Sequence, residues 1–190
     1  MSGRTATGTG SRLCSRLGLA SVLFFAAAAS ALAEDSCSFM APDPVLRPHA
    51  YPGQTLNQPS RHSSTETVRP HAGLRIAIRQ DGCADFVTTR FTLTVARGRE
   101  RERSEDEWID FARAEVAGLK IREPQRLKEL DAFLARAHGI ARRKSERAIC
   151  RDGSAPDAGD CSWDSLGGYT VSVKRGRKAT TISVTEYVSA

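Results

Sequence analysis

Two stretches of strict alternation decide what this chain can fold into. Leu74, Ile76 and Ile78 alternate with Arg75, Ala77 and Arg79, and after Asp81-Gly82 the same period returns in Val87, Thr89, Phe91, Leu93 and Val95. Successive side chains of a strand point to opposite faces, so each stretch reads as a strand with one buried face. Asp-Gly favours a tight turn, which makes the segment a β-hairpin. Near the C-terminus Tyr169, Val171 and Val173 alternate again, followed by the basic turn Lys174-Arg175-Gly176-Arg177-Lys178 and by Ile182, Val184 and Val188. This predicts a second hairpin.

Between the hairpins the apolar spacing becomes helical. Ser104-Glu105-Asp106-Glu107 is a capping box, whose serine and N3 glutamate satisfy orphan amides, and Trp108, Phe111, Ala112, Val116 and Leu119 then fall on one stripe. Pro124 suits the first turn of a second helix, where its missing N–H has no intrahelical partner. Leu127, Leu130, Leu134 and Ala137 follow at spacings of three and four, with Phe133 beside them, and His138-Gly139 marks the end. The order ββααββ predicts an α+β fold of two layers: a four-stranded antiparallel sheet made of two hairpins, packed against two helices. One such domain is expected over residues 73–190. Its outer sheet face would carry Arg75, Arg79, Thr92, Thr94, Thr170, Ser172, Thr181, Ser183 and Thr185.

The preceding segment differs. Six of the eight prolines lie between Met40 and Pro70, and proline fixes φ and removes a donor, so residues 34–72 read as a proline-rich, extended and irregular N-terminal arm. His49, His62 and His71 lie in or beside it without an i, i+4 relation, and metal ligation is not expected of them.

The N-terminus specifies a compartment. Arg4, Arg12 and Arg16 precede the predominantly apolar run Leu17 to Ala33, which closes on Ala31-Leu32-Ala33, an A-x-A cleavage site, with the first acidic residues immediately behind it. The run is shorter than the roughly 20 residues a spanning helix needs. Residues 1–33 therefore read as a signal peptide, removed on export, with no membrane span left after cleavage. Cleavage also removes three of the 28 basic residues and none of the 22 acidic ones, which lowers the net charge from +6 to +3. Arginine outnumbers lysine 23 to 5, Asn57 is the one asparagine and there is no N-x-S/T sequon. Together these point to a bacterial protein, periplasmic or secreted, from a GC-rich coding background, and nucleic acid is not an expected partner.

Four cysteines follow the leader: Cys37, Cys83, Cys150 and Cys161. In an oxidising compartment they read as two disulfides with three possible connectivities. Proximity favours Cys150 with Cys161, leaving Cys37 with Cys83; each bridge would contribute about 3–4 kcal/mol in the chain-entropy model. No C-x2–4-C pair suggests zinc. The intervening loop holds Asp152, Asp157 and Asp160 without the alternating oxygen ligands and terminal glutamate of a calcium loop, and its ten-residue spacing is unlike a reactive C-x-x-C. It reads as an acidic surface turn closed by a disulfide.

Catalytic signatures are missing: there is no H-E-x-x-H, G-x-S-x-G, Walker loop or G-x-G-x-x-G. Neither a cofactor nor a metal is implied. The expectation is an exported binding protein, such as an inhibitor, an immunity factor or an envelope accessory protein. It would meet another protein or an envelope component through Arg75 and Arg79 on the sheet face and through the basic tip Lys174, Arg175, Arg177 and Lys178. The rival is a small secreted hydrolase, a nuclease or cell-wall glycan hydrolase, with His138 as its acid or base. That rival requires carboxylates and an arginine cluster around His138.

Overall fold

The computed structural model describes residues 43–83, 86–96, 103–140, 147–150 and 167–189, with backbone alone at Cys83, Phe86 and Ser189. Its elements are β1 (Thr55–Ser60), β2 (Ser63–Val68), β3 (Leu74–Cys83), β4 (Phe86–Ala96), α1 (Glu105–Ala117), α2 (Pro124–Ala137), β5 (Arg147–Cys150), β6 (Gly167–Arg175) and β7 (Ala179–Ser189). All seven strands join one antiparallel sheet in the order β1-β2-β3-β4-β7-β6-β5. The long strands β4 and β7 meet at its centre and so join the two halves of the chain.

This corrects the expected fold. The sheet has seven strands rather than four, the order is ββββααβββ rather than ββααββ, and residues 55–68 of the supposedly irregular arm form β1 and β2. The extra strands escaped the alternation test for a physical reason. β2 turns Ser64, Glu66 and Val68 inward, so only one of its three buried side chains is apolar. β1 is exposed along its whole length, and its Pro59 is tolerated because the strand lies at the sheet edge. β5 is four residues long and buries Arg147 beside Ile149. The turn expected at Asp81-Gly82 also moves: Asp81 pairs with Thr88 and Gly82 with Val87, and the strands part only beyond Cys83.

The inner face of the sheet forms the core. Leu74, Ile76 and Ile78 of β3, Phe91, Leu93 and Val95 of β4, Ile182 and Val184 of β7 and Val171 of β6 are buried. Across them pack Trp108, Ile109, Ala112 and Val116 of α1 and Leu130, Phe133, Leu134 and Ala137 of α2. Helix α1 opens with the expected capping box, Ser104 accepting from Glu107 N while Glu107 accepts from Ser104 N. The α1–α2 connection buries Leu119 and Ile121, and the arm runs against it: Leu46 bridges Ile121, Arg122 N donates to Val45 O at 2.8 Å, and Arg47 N donates to Lys120 O at 2.9 Å. At the other end of the sheet Gly167 has φ 123°, and a Cβ there would stand 2.1 Å from the carbonyl oxygen of Tyr187. No other residue fits so close to a neighbouring backbone.

Candidate functional site

The outward face and one end of the sheet carry the cations singled out in the sequence. Arg75 and Arg79 point outward from β3, Lys174 and Arg175 end β6, and Arg177 and Lys178 belong to the turn into β7. Across the strands Arg75 faces Thr94, Thr94 faces Thr181 and Thr181 faces Lys174, a single outward row with a cation at each end. The next two rows are built mostly of Thr65, Thr67, Ala77, Thr92, Thr170, Ser172, Ser183 and Thr185. These are short side chains on a half-wet sheet face.

The cations differ in what already holds them. Arg79 is bonded to Asp81 through both Nε, at 2.7 Å, and Nη2, at 2.9 Å; that bond holds the Asp81 carboxyl below its ordinary range. Arg90, beside it, donates to Thr185 at 3.2 Å, and Arg175 donates to the carbonyl of Arg103 at 2.6 Å. By contrast, the side chains of Arg69, Arg75, Lys174 and Lys178 make no ion pair or hydrogen bond to any described residue. Arg69, Arg75 and Lys178 border one cleft of about 560 Å³, together with His71, Ala72, Gly73, Leu74, Thr94, Ala96 and Ala179. The structure thus brings Arg75 to Lys178, separates Arg79 from them by charge compensation, and adds Arg69. Sequence reasoning missed Arg69 because it sits at the end of a strand read as arm.

Two further groups were missed, both on the inner face. Ser64, Gln80, Thr89, Glu186 and Tyr169 are direct cross-strand neighbours, one polar row through five strands, all buried. Arg126 of α2 closes over it, donating to Glu186 Oε2 from Nε at 2.9 Å and from Nη2 at 2.5 Å, and to Thr89 Oγ1 at 2.5 Å. The hydroxyl of Tyr169 donates between Glu186 Oε1, at 3.4 Å, and Glu129 Oε2, at 3.3 Å, and its ring stacks on Phe133. One row further along the sheet, Glu66 is 1 % exposed and accepts from Val45 N at 2.6 Å and Leu46 N at 3.2 Å. Burial pushes its carboxyl above the ordinary range, against the opposing pull of those amides and of Arg122. An acidic residue at an inward position of a strand is the signal that marks both Glu66 and Glu186.

His138 lies just past α2, half exposed, with Nε2 3.7 Å from Asp110 Oδ2. The other carboxylate near it, Asp106, is bonded by the Arg147 guanidinium and by Gly139 N at 3.3 Å, and these hold its carboxyl below the ordinary range. Arg147 in turn donates to Ala137 O at 2.8 Å, so this cluster ties β5 to the start of α1 and the end of α2. None of the clefts named here is lined by His138. Among the described residues no group of three metal-ligating side chains is placed to hold an ion, and no helix is long and apolar enough to cross a membrane. Cys150 is buried and disulfide-bonded; Cys37, Cys161 and the side chain of Cys83 lie outside the described residues, as does the leader. With this geometry in place, comparison with protein-family models, with curated proteins and with solved structures returned no match.

Proposed function

We propose that the protein is an exported binding protein of the bacterial envelope or exterior, and that it holds an acidic protein or envelope component against the basic end of its sheet. One observation carries this reading: Arg69, Arg75, Lys174 and Lys178, drawn from β2–β3 and from the β6–β7 hairpin, converge on one end without compensating partners among the described residues. Uncompensated like charge destabilises a fold and steers an opposite charge toward it. Several arginines elsewhere are consumed internally, among them Arg79, Arg126 and Arg147. The hydrolase reading draws less support, because Asp106 beside His138 is already committed to Arg147 and to a backbone amide.

The test uses the mature protein, purified from the exporting cell. Its intact mass is expected to begin at Glu34 and to show two disulfides. Capture of an acidic partner from envelope extract should weaken as salt is raised. It should weaken further in a variant with Lys174, Arg175, Arg177 and Lys178 all changed to Ser. Capture equal to wild type in that variant removes the β6–β7 tip as the binding surface. Hydrolysis of RNA, DNA or cell-wall glycan that disappears in His138→Ala would replace this reading with the rival one.

A further inference from the structure

The cleft between the β2–β3 turn and the β6–β7 hairpin has a composition more specific than a basic patch. Its three cations, Arg69, Arg75 and Lys178, come from three separate segments, and none of its described lining residues is acidic. The histidine in the lining, His71, is already engaged by Glu115 of α1, at 3.1 Å from Nε2. Apart from the cations, His71 and Thr94, the lining is apolar: Ala72, Gly73, Ala96 and Ala179, with Leu74 turned into the core and lending little surface. Arg69 and Arg75 also border a second hollow of about 510 Å³ with Pro52, Gly53, Thr55, Thr67 and Val68. Two guanidinium groups therefore serve adjoining cavities.

We infer that this cleft binds a phosphate monoester carried on a short apolar stem. Three cations suit a group that carries close to two negative charges at neutral pH, and guanidinium forks match phosphate oxygens in pairs. The apolar floor receives what the phosphate is attached to, and the hydroxyl of Thr94 supplies a neutral donor at the edge. The inference rests on the reading of the basic end as the binding surface, and it names the chemistry that surface recognises.

The experiment is calorimetric titration of the mature, oxidised protein at low salt with butyl phosphate, and separately with inorganic phosphate. Butyl phosphate is expected to bind more tightly than inorganic phosphate. Arg69→Ser/Arg75→Ser should weaken it about tenfold or more, the scale set by losing one or two charge-assisted bonds. A tip variant, Lys174→Ser/Arg175→Ser/Arg177→Ser, should bind it as wild type does. Cosedimentation with vesicles of phosphatidylcholine containing phosphatidic acid, whose headgroup is a phosphate monoester, but not with phosphatidylcholine alone, lost in the Arg69/Arg75 variant, places the phosphate on a lipid headgroup. Butyl phosphate binding without vesicle binding places it on a soluble ligand. No heat with butyl phosphate, or equal affinity in wild type and the Arg69/Arg75 variant, overturns the inference. The two readings fail separately: tip-dependent partner capture without phosphate binding removes the cleft alone, and phosphate binding with tip-independent capture removes the tip alone. Both variants change exposed side chains, so an unchanged thermal midpoint confirms that each is folded.

Discussion

Arg126→Met tests whether the polar row on the core face is held by one ion pair. The Arg126 and Glu186 side chains are 16 % and 6 % exposed, which separates them from surface pairs worth under about 1 kcal/mol. Methionine keeps most of the stem's packing but removes both bonds to Glu186 Oε2 and the bond to Thr89. Glu186 is then left with the weak contact to Tyr169 at 3.4 Å. Breaking a buried pair by removing one partner costs about 3–5 kcal/mol, most of it the uncompensated charge. For a domain of this size that lowers the thermal midpoint by about 6–20 °C. The double variant Arg126→Met/Glu186→Leu removes the stranded charge together with its partner, and should recover most of the loss. Urea unfolding of the oxidised protein, followed by the fluorescence of buried Trp108, reads both variants, provided the denaturant slope stays constant. A single variant that costs less than about 1 kcal/mol, or a double variant whose loss equals the sum of the two singles, refutes the account.

Two other substitutions probe the frame. Because burial raises the Glu66 carboxyl, its neutral form favours folding: that contribution is complete below the ordinary glutamate value and is lost as pH rises through the raised one. Glu66→Gln removes the titration, so its stability relative to wild type should improve as pH rises above the ordinary glutamate range in parallel urea titrations; a difference that stays flat contradicts the burial argument. Gly167→Ala should cost about 2 kcal/mol or more, since the new methyl meets Tyr187 O at 2.1 Å from a left-handed backbone. Gly118→Ala, whose methyl would meet nothing closer than 3.5 Å, serves as its control, and a thermal midpoint at position 167 as unaffected as the control's would show that the β6–β7 approach is looser than described.

The legible part of the fold was the part whose inward residues are apolar. β3, β4, β6, β7 and both helices were found because Ile76, Leu93, Val171, Ile182, Trp108 and Leu130 repeat at the right periods. β2 and β5 use Glu66 and Arg147 at inward positions, and a hydrophobic count treats these as solvent-facing until the partners that neutralise them are known. The site was legible in its charges and not in their pairing. Asp81 was read as a turn residue, yet as strand residues Arg79 and Asp81 are two apart and share a face, which is why they bond. Misplacing one turn by two residues therefore hid the bond that already engages one of the six proposed contact residues.

What distinguishes the basic end is the gathering of three cations in one cleft without a partner among the described residues, rather than the presence of charge. Arginine is abundant throughout this chain, at 23 of 190 residues, so arginine density alone cannot mark a site. Most buried or half-buried examples resolve into structural bonds: Arg113 to Asp131 joins the helices, Arg126 to Glu186 joins helix to sheet, and Arg147 to Asp106 joins β5 to α1. Each brings its own carboxylate to the contact. Arg69, Arg75 and Lys178 bring three cations to one concave end whose described lining holds no carboxylate. Folding gains nothing from that arrangement, because like charges drawn together repel. An anion supplied from outside the chain is what would make the arrangement favourable, and that is the physical ground for placing the binding surface there.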